Sequence, residues 1–227
     1  MSSAKRFPAL LLWLALSAAG CHWPQSQPPT TGVIVATDPH RNTDLARKLN
    51  SEACKLLASG DLAGAEKQLQ ASLAADPFFG PAKNNLGTVY YRQKRYDEAG
   101  KAYAAAAEFM PDRAEPRYNL GLVFEKKVEH FPDAVAAYEE AHRLSPGSLS
   151  ITGNLARMYV RTRRDAGVLR PLLVEIVQKD TRSEWVAWAR GQLAALMGRT
   201  SQPATEPESI APEERGKPGP MPATSPS

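Results

Sequence analysis

The sequence predicts an all-α protein, a solenoid of stacked helical hairpins, and three observations carry that expectation. A phrase recurs: "NNLGTVYY" (84–91), "YNLGLVFE" (118–125) and "GNLARMYV" (153–160), with Asn85, Asn119 and Asn154 spaced by 34 and 35 residues. Apolar residues follow spacings of three and four, as in Leu86, Val89, Tyr90; Ala99, Tyr103, Ala106; Leu120, Val123, Phe124; and Ala134, Tyr138, Ala141. Each trio falls on one face of a helix. Pro77, Pro111 and Pro146 close successive segments, again 34 and 35 apart. No Val/Ile/Thr-rich alternating run is bounded by turn signals, so no strand is expected. One hairpin cannot bury its own apolar face, whereas stacked neighbours share a continuous core, which is why the phrase must repeat.

Taken in order, the chain opens with "MSSAKRF", a positive start, followed by "PALLLWLALS", an apolar run too short to span a bilayer. The run ends in "AAGC", Ala18 to Cys21. Small residues leading into a cysteine resemble the lipobox of bacterial lipoproteins. That resemblance implies a signal peptide over 1–20, cleavage before Cys21 and a lipid on its thiol. The departure is Ala18, where the family most often has Leu. The alternative is secretion by a peptidase that cuts after small residues, giving a soluble periplasmic or secreted protein. His22, rather than Asp, follows the cysteine, which by the enteric lipoprotein rule points to the outer membrane, periplasmic face, ahead of the inner membrane. If Cys21 is lipidated, Cys54 is the only free thiol and no internal disulfide can form.

Residues 21–41 hold four prolines without helical period and read as a tether. Residues 200–227 are rich in Pro, Glu, Ser and Thr, with Ile210 the one large aliphatic residue. Such a tail cannot bury enough apolar surface to offset its chain entropy and is expected to be disordered. The folded domain therefore spans 42–199. Within it, Ser59-Gly60-Asp61 offers a turn and an N-cap, Lys94-Arg95 a polar bend, and Pro132 suits a helix's first turn. "SEWVAWARGQLAALM" places Trp185, Trp188, Ala189, Leu193 and Leu196 on one stripe, as a capping helix over 182–199 requires.

The repeat resembles the tetratricopeptide (TPR) family, with L-G-x₂-Y, then A-x₃-F, then P in about 34 residues. Leu86, Gly87, Tyr90, Ala99, Tyr103, Ala106 and Pro111 fill it, and Leu120, Gly121, Phe124, Ala134, Tyr138, Ala141 and Pro146 fill it again. The second copy has one extra residue, in "KKVEHFP". A looser first unit has Ala53, Leu56, Ala65, Leu69 and Pro77. In a fourth, Leu155, Ala156 and Tyr159 fit, but Val168 stands where a small residue is expected and Asp180 where the proline is. The repeats are thus expected at about 45–78, 79–112, 113–147 and, degenerate, 148–181.

Chemistry is sought and not found. The histidines, at 22, 40, 130 and 142, are scattered, and no His/Cys spacing suits a metal. No glycine-rich phosphate loop is present, and Cys54 has no nameable His partner. The expectation is no enzyme, no cofactor and no metal. Formal charge is +4, and without Lys5 and Arg6 it falls to 26 − 24 = +2, too small to indicate nucleic acid.

The TPR resemblance implies a concave groove lined by the first helix of each hairpin. Its inward positions here are Asn50, Cys54 and Leu57; Asn84, Thr88 and Tyr91; Tyr118, Leu122 and Glu125; and Gly153, Arg157 and Val160. Beside them runs an amide ladder of Asn85, Asn119 and Asn154, which either binds a peptide backbone or bonds neighbouring helices. TPR adaptors that grip chaperone carboxylate tails use clustered cations, whereas the corresponding places read Asn50, Cys54, Asn85, Glu115 and Asn119. The expected function is a membrane-anchored adaptor binding a protein or peptide in its groove, in an envelope assembly. Similar lipid-anchored TPR proteins serve pilus secretins and outer-membrane protein assembly. The alternatives are a self-assembling structural lipoprotein and an accessory subunit that positions an envelope enzyme.

Overall fold

A computed structural model describes residues 41–198; Cys21 and the segments expected to be a signal peptide, tether and tail lie outside the described residues. Within them the chain forms nine α-helices and no strand. These are α1 (Thr43–Ser59), α2 (Leu62–Ala75), α3 (Gly80–Arg92), α4 (Tyr96–Phe109), α5 (Ala114–Phe124), α6 (Phe131–Leu144), α7 (Leu149–Arg161), α8 (Ala166–Lys179) and α9 (Ser183–Gly198). Four hairpins, α1/α2, α3/α4, α5/α6 and α7/α8, stack in chain order, and α9 packs on α8. The odd-numbered helices of successive hairpins also touch, α1 with α3 and α3 with α5, and so form one inner layer.

Local chemistry sets the boundaries. Asp61 caps α2 by accepting the Gly64 N–H at 2.9 Å, and Pro132 sits in the first turn of α6. Three of the four hairpin turns close alike. A residue in the left-handed region ends the first helix, and the next N–H bonds back five residues. The residues are Gly60 (φ 85°), Lys94 (φ 63°) and Arg163 (φ 53°), with Asp61 N to Leu56 O, Arg95 N to Tyr90 O and Arg164 N to Tyr159 O all at 2.9 Å. Only the first uses the residue for which this conformation is free of Cβ strain. The α5/α6 turn instead inserts a short 3₁₀ turn, Val128–His130, which absorbs the extra residue of "KKVEHFP".

The two central hairpins close with a ring seated on bare backbone. A Cβ on Gly87 would lie 2.6 Å from Cδ1 of Tyr103, and one on Gly121 2.6 Å from Cε1 of Tyr138. Both rings are fully buried, alongside Ala99 and Ala106 in one hairpin and Ala134 and Ala141 in the next. The Tyr103 hydroxyl donates to Thr88 Oγ1 at 3.3 Å. Between the first two hairpins Asp76, fully buried, accepts from Arg41 (2.9 Å), Thr43 (2.8 Å) and the Phe78 N–H (3.1 Å). Burial pushes its pKa up, but these donors outweigh it and hold the carboxyl below its usual range.

The fourth hairpin departs from the sequence expectation. Val168 is half exposed, and Leu169, Leu173 and Ile176 are buried in its place. They stand 35 residues after Ala134, Tyr138 and Ala141, because the α7/α8 turn also carries an extra residue. The hairpin is a full member of the stack in a register shifted by one. In α9 the buried stripe is Trp185, Trp188, Ala189 and Gln192, with Leu193 and Leu196 half-buried at its edge.

Gly121→Ala is expected to destabilise the domain by about 1–2 kcal/mol, because overpacking against a buried ring exceeds the gain in helix propensity. Gly191→Ala in α9, where an added Cβ meets nothing within 4 Å, should stabilise it by about 0.5–1 kcal/mol. Urea unfolding of both variants checks the signs; equal shifts would remove the ring-on-glycine seat.

Candidate functional site

The inner layer brings the expected groove residues together, and they bond to one another across hairpins. Asn85 Nδ2 donates to Asn50 Oδ1 at 2.8 Å, and Asn119 Nδ2 to Asn84 Oδ1 at 3.0 Å. Asn154 Nδ2 donates to the Tyr118 hydroxyl at 2.8 Å. Each asparagine of the ladder thus reaches back to the preceding hairpin, 35 or 36 residues earlier. Asn50, Asn84, Asn85, Thr88, Tyr118, Asn119, Leu122, Asn154 and Arg157 are buried, and Tyr91 is half-buried. Asn50 Nδ2 is buried without a hydrogen bond, although its carbonyl oxygen is engaged.

Sequence reasoning placed Glu125 and Arg157 on this face but missed that they pair at its centre. Arg157 Nη2 lies 2.6 and 2.7 Å from the two carboxylate oxygens of Glu125 and 3.1 Å from Asn154 Oδ1. The side chains are only 4% and 5% exposed, so this pair is sheltered from water screening. Arg157 Nε is buried without a partner, and the buried Tyr138 hydroxyl lies beside Glu125. Burial first, then the nearby Glu125 charge, pushes the pKa of Tyr118 and Tyr138 up, so both stay neutral. Glu125 and Arg157 are 32 residues apart, one 35-residue repeat less three, and that offset was the available signal.

Towards the hairpin turns, Tyr91 and Tyr96 meet edge to face at 5.5 Å, with Lys126 Nζ 5.1 and 5.4 Å from their ring centroids. Cys54 Sγ is 3.3 Å from Asn85 Nδ2 and half-buried; burial pushes its thiol pKa up, the opposite of what a nucleophile needs. Glu115 pairs with Arg113 at 2.8 Å. Among the described residues no cluster of His, Cys, Asp or Glu is arranged to hold a metal, and no helix is long and apolar enough to cross a membrane.

Comparison with known proteins agrees with the geometry. Residues 79–147 match the tetratricopeptide repeat family. A search by sequence among curated proteins finds no match. Among solved structures, Pseudomonas aeruginosa pilF is similar, with 22% identity, 72% of each chain covered and a TM-score of 0.61. The TPR protein YrrB, described as having an unusual peptide-binding site, is 18% identical over 70% of this chain and 81% of its own, at 0.59. The first TPR domain of Spaghetti (RPAP3), bound to an HSP90 peptide, is 18% identical over 55% of this chain and 98% of its own, at 0.52. The described residues are a TPR-type solenoid, and residues 79–147 are tetratricopeptide repeats by sequence as well as by fold.

Removing one partner of the buried pair leaves an uncompensated charge. Arg157→Met is expected to cost about 3–5 kcal/mol, and the double variant Arg157→Met with Glu125→Met clearly less than that. A double-mutant cycle by urea unfolding measures it, and additive costs would mean that the pair is not coupled.

Proposed function

We propose that this protein is a membrane-anchored, non-catalytic TPR adaptor that holds a segment of a partner protein against its inner helix layer. The observation that carries the reading is the row of bonds that fixes α1, α3, α5 and α7 side by side, with amide, phenol and guanidinium groups at regular repeat spacing. A rigid face of this kind binds an extended chain with little ordering cost on its own side. The HSP90 peptide bound to the RPAP3 domain and the peptide-binding site described for YrrB support a peptide-sized ligand for a face of this fold. Glu115 paired to Arg113, with asparagines in place of clustered cations, disfavours a carboxylate-terminated ligand.

The anchor rests on "AAGC" and a lipid at Cys21, and it supports residence in a bacterial envelope, at the periplasmic face of the outer membrane. The lipid supplies place and local concentration; the inner layer supplies the partner.

Photo-crosslinking in cells tests both parts. A benzophenone residue replacing Tyr91 should give one discrete adduct, absent when the same residue replaces Glu98 on α4, and Cys21→Ser should move protein and adduct from the membrane to the soluble fraction after a high-salt wash that strips electrostatic surface contacts. An adduct of twice the protein's own mass would assign the face to self-assembly. Equal smears from both positions would remove the partner reading, and unchanged fractionation would remove the anchor.

A further inference from the structure

Seven large apolar residues stand exposed among the described residues, and three of them gather at one edge of the stack. Phe78, 51% exposed, occupies the α2/α3 connection, and Phe109, 42% exposed, ends α4. Their ring centroids are 5.6 Å apart. The pairing follows from how closely these elements approach: a Cβ on Gly80 would lie 2.6 Å from Met110 Cγ and 3.3 Å from Phe109 Cβ. Leu45, 43% exposed, lies in the first turn of α1. That turn is pinned to the same connection by Asn42 N–H to Ala75 O (2.8 Å) and Thr43 to Asp76 (2.8 Å).

Cations ring the aromatic pair. The Arg41 guanidinium lies 5.6 Å from the Phe78 centroid, and Lys83 Nζ lies 5.2 Å from that of Phe109. Asp76 is buried under Arg41 and pairs with it, and Asp44 is paired with Arg47 at 2.7 Å, which leaves Lys83 as the uncompensated cation beside the rings; Glu108 and Asp112, near Phe109 in the chain, are exposed. Exposed apolar side chains bordered by basic ones are what the boundary between headgroups and acyl chains accepts. A buried protein interface, in contrast, would leave Lys83 to be desolvated at a cost.

Position in the chain supports the same occupant. Arg41 is the first described residue and follows Cys21 by twenty positions. Twenty residues reach at most roughly 70 Å when fully extended. Any attachment at Cys21 therefore holds the start of α1, and with it this edge, within that reach of the bilayer.

From these observations we infer that the edge formed by Leu45, Phe78 and Phe109, with Arg41 and Lys83, docks on the surface of an anionic phospholipid bilayer. Docking turns the edge bearing the α2/α3 connection to the membrane and orients the solenoid upon it. The inference deepens the membrane half of the proposed function but does not require the lipid.

The test uses the fragment 38–227, the compact unit that carries the whole helical array and lacks Cys21. Its result is therefore independent of lipidation. Flotation with vesicles of phosphatidylglycerol and phosphatidylethanolamine should carry the fragment, and flotation with phosphatidylcholine alone should not. Phe78→Ser with Phe109→Ser, and separately Lys83→Glu, should each weaken partitioning by about fivefold or more. Circular dichroism melting confirms that the variants are folded; should the double variant fail to fold, Lys83→Glu decides. No flotation of the parent fragment, or flotation unchanged in the folded variants, overturns the inference and leaves the edge to a protein partner.

Discussion

The contact of a tyrosine ring with bare backbone, Tyr103 on Gly87 and Tyr138 on Gly121, fixes the distances on which the rest of the solenoid depends. With a ring seated at 2.6 Å from where a Cβ would stand, the two helices of a hairpin have one available spacing. That spacing places the first helix of each hairpin at a constant offset from the next. Side chains as short as asparagine then span the gap, and the ladder of amide bonds is a consequence of the seat rather than its cause. The buried Glu125–Arg157 pair rests on the same offset, since a bidentate contact at 2.6 and 2.7 Å tolerates little sliding between α5 and α7.

Such an architecture divides labour between faces. The inner layer is rich in polar groups held in place by neighbouring hairpins, so its recognition chemistry is built before a ligand arrives. The edge at Phe78 and Phe109 is apolar, exposed and bordered by cations, and it borrows nothing from the inner layer. On the proposed function, one of these surfaces serves the membrane and the other the partner. The pKa directions agree, because Tyr118, Tyr138 and Cys54 are all pushed up by burial and stay neutral, suited to packing and hydrogen bonding rather than reaction.

Much of this was legible in the sequence, for a physical reason. A period of 34 residues reports a stacked unit, spacings of three and four report helix faces, and Gly87, Gly121, Tyr103 and Tyr138 mark the contact itself. What escaped the reading depended on single-residue offsets or on direction. One extra residue in the α7/α8 turn moved the core positions from Val168 to Leu169, Leu173 and Ile176, a shift that periodicity alone smooths over. Asn85, Asn119 and Asn154 were visible as a ladder, but nothing in their spacing tells that each amide reaches back to the preceding hairpin. Glu125 and Arg157 looked like separate groove positions, because the pairing exists only once α5 and α7 are adjacent. Phe78 and Phe109 are 31 residues apart and follow no motif; the close approach at Gly80 joins them.

The central claim is that the ring seats couple the hairpins into one array. Amide hydrogen exchange on the fragment 38–227, comparing the parent chain with Gly121→Ala, tests it most directly. Coupling predicts that protection falls by a similar free energy in α3 to α8, well beyond the altered hairpin. A loss confined to α5 and α6, with α3, α4, α7 and α8 protected as before, would contradict the claim and make each hairpin an independent unit.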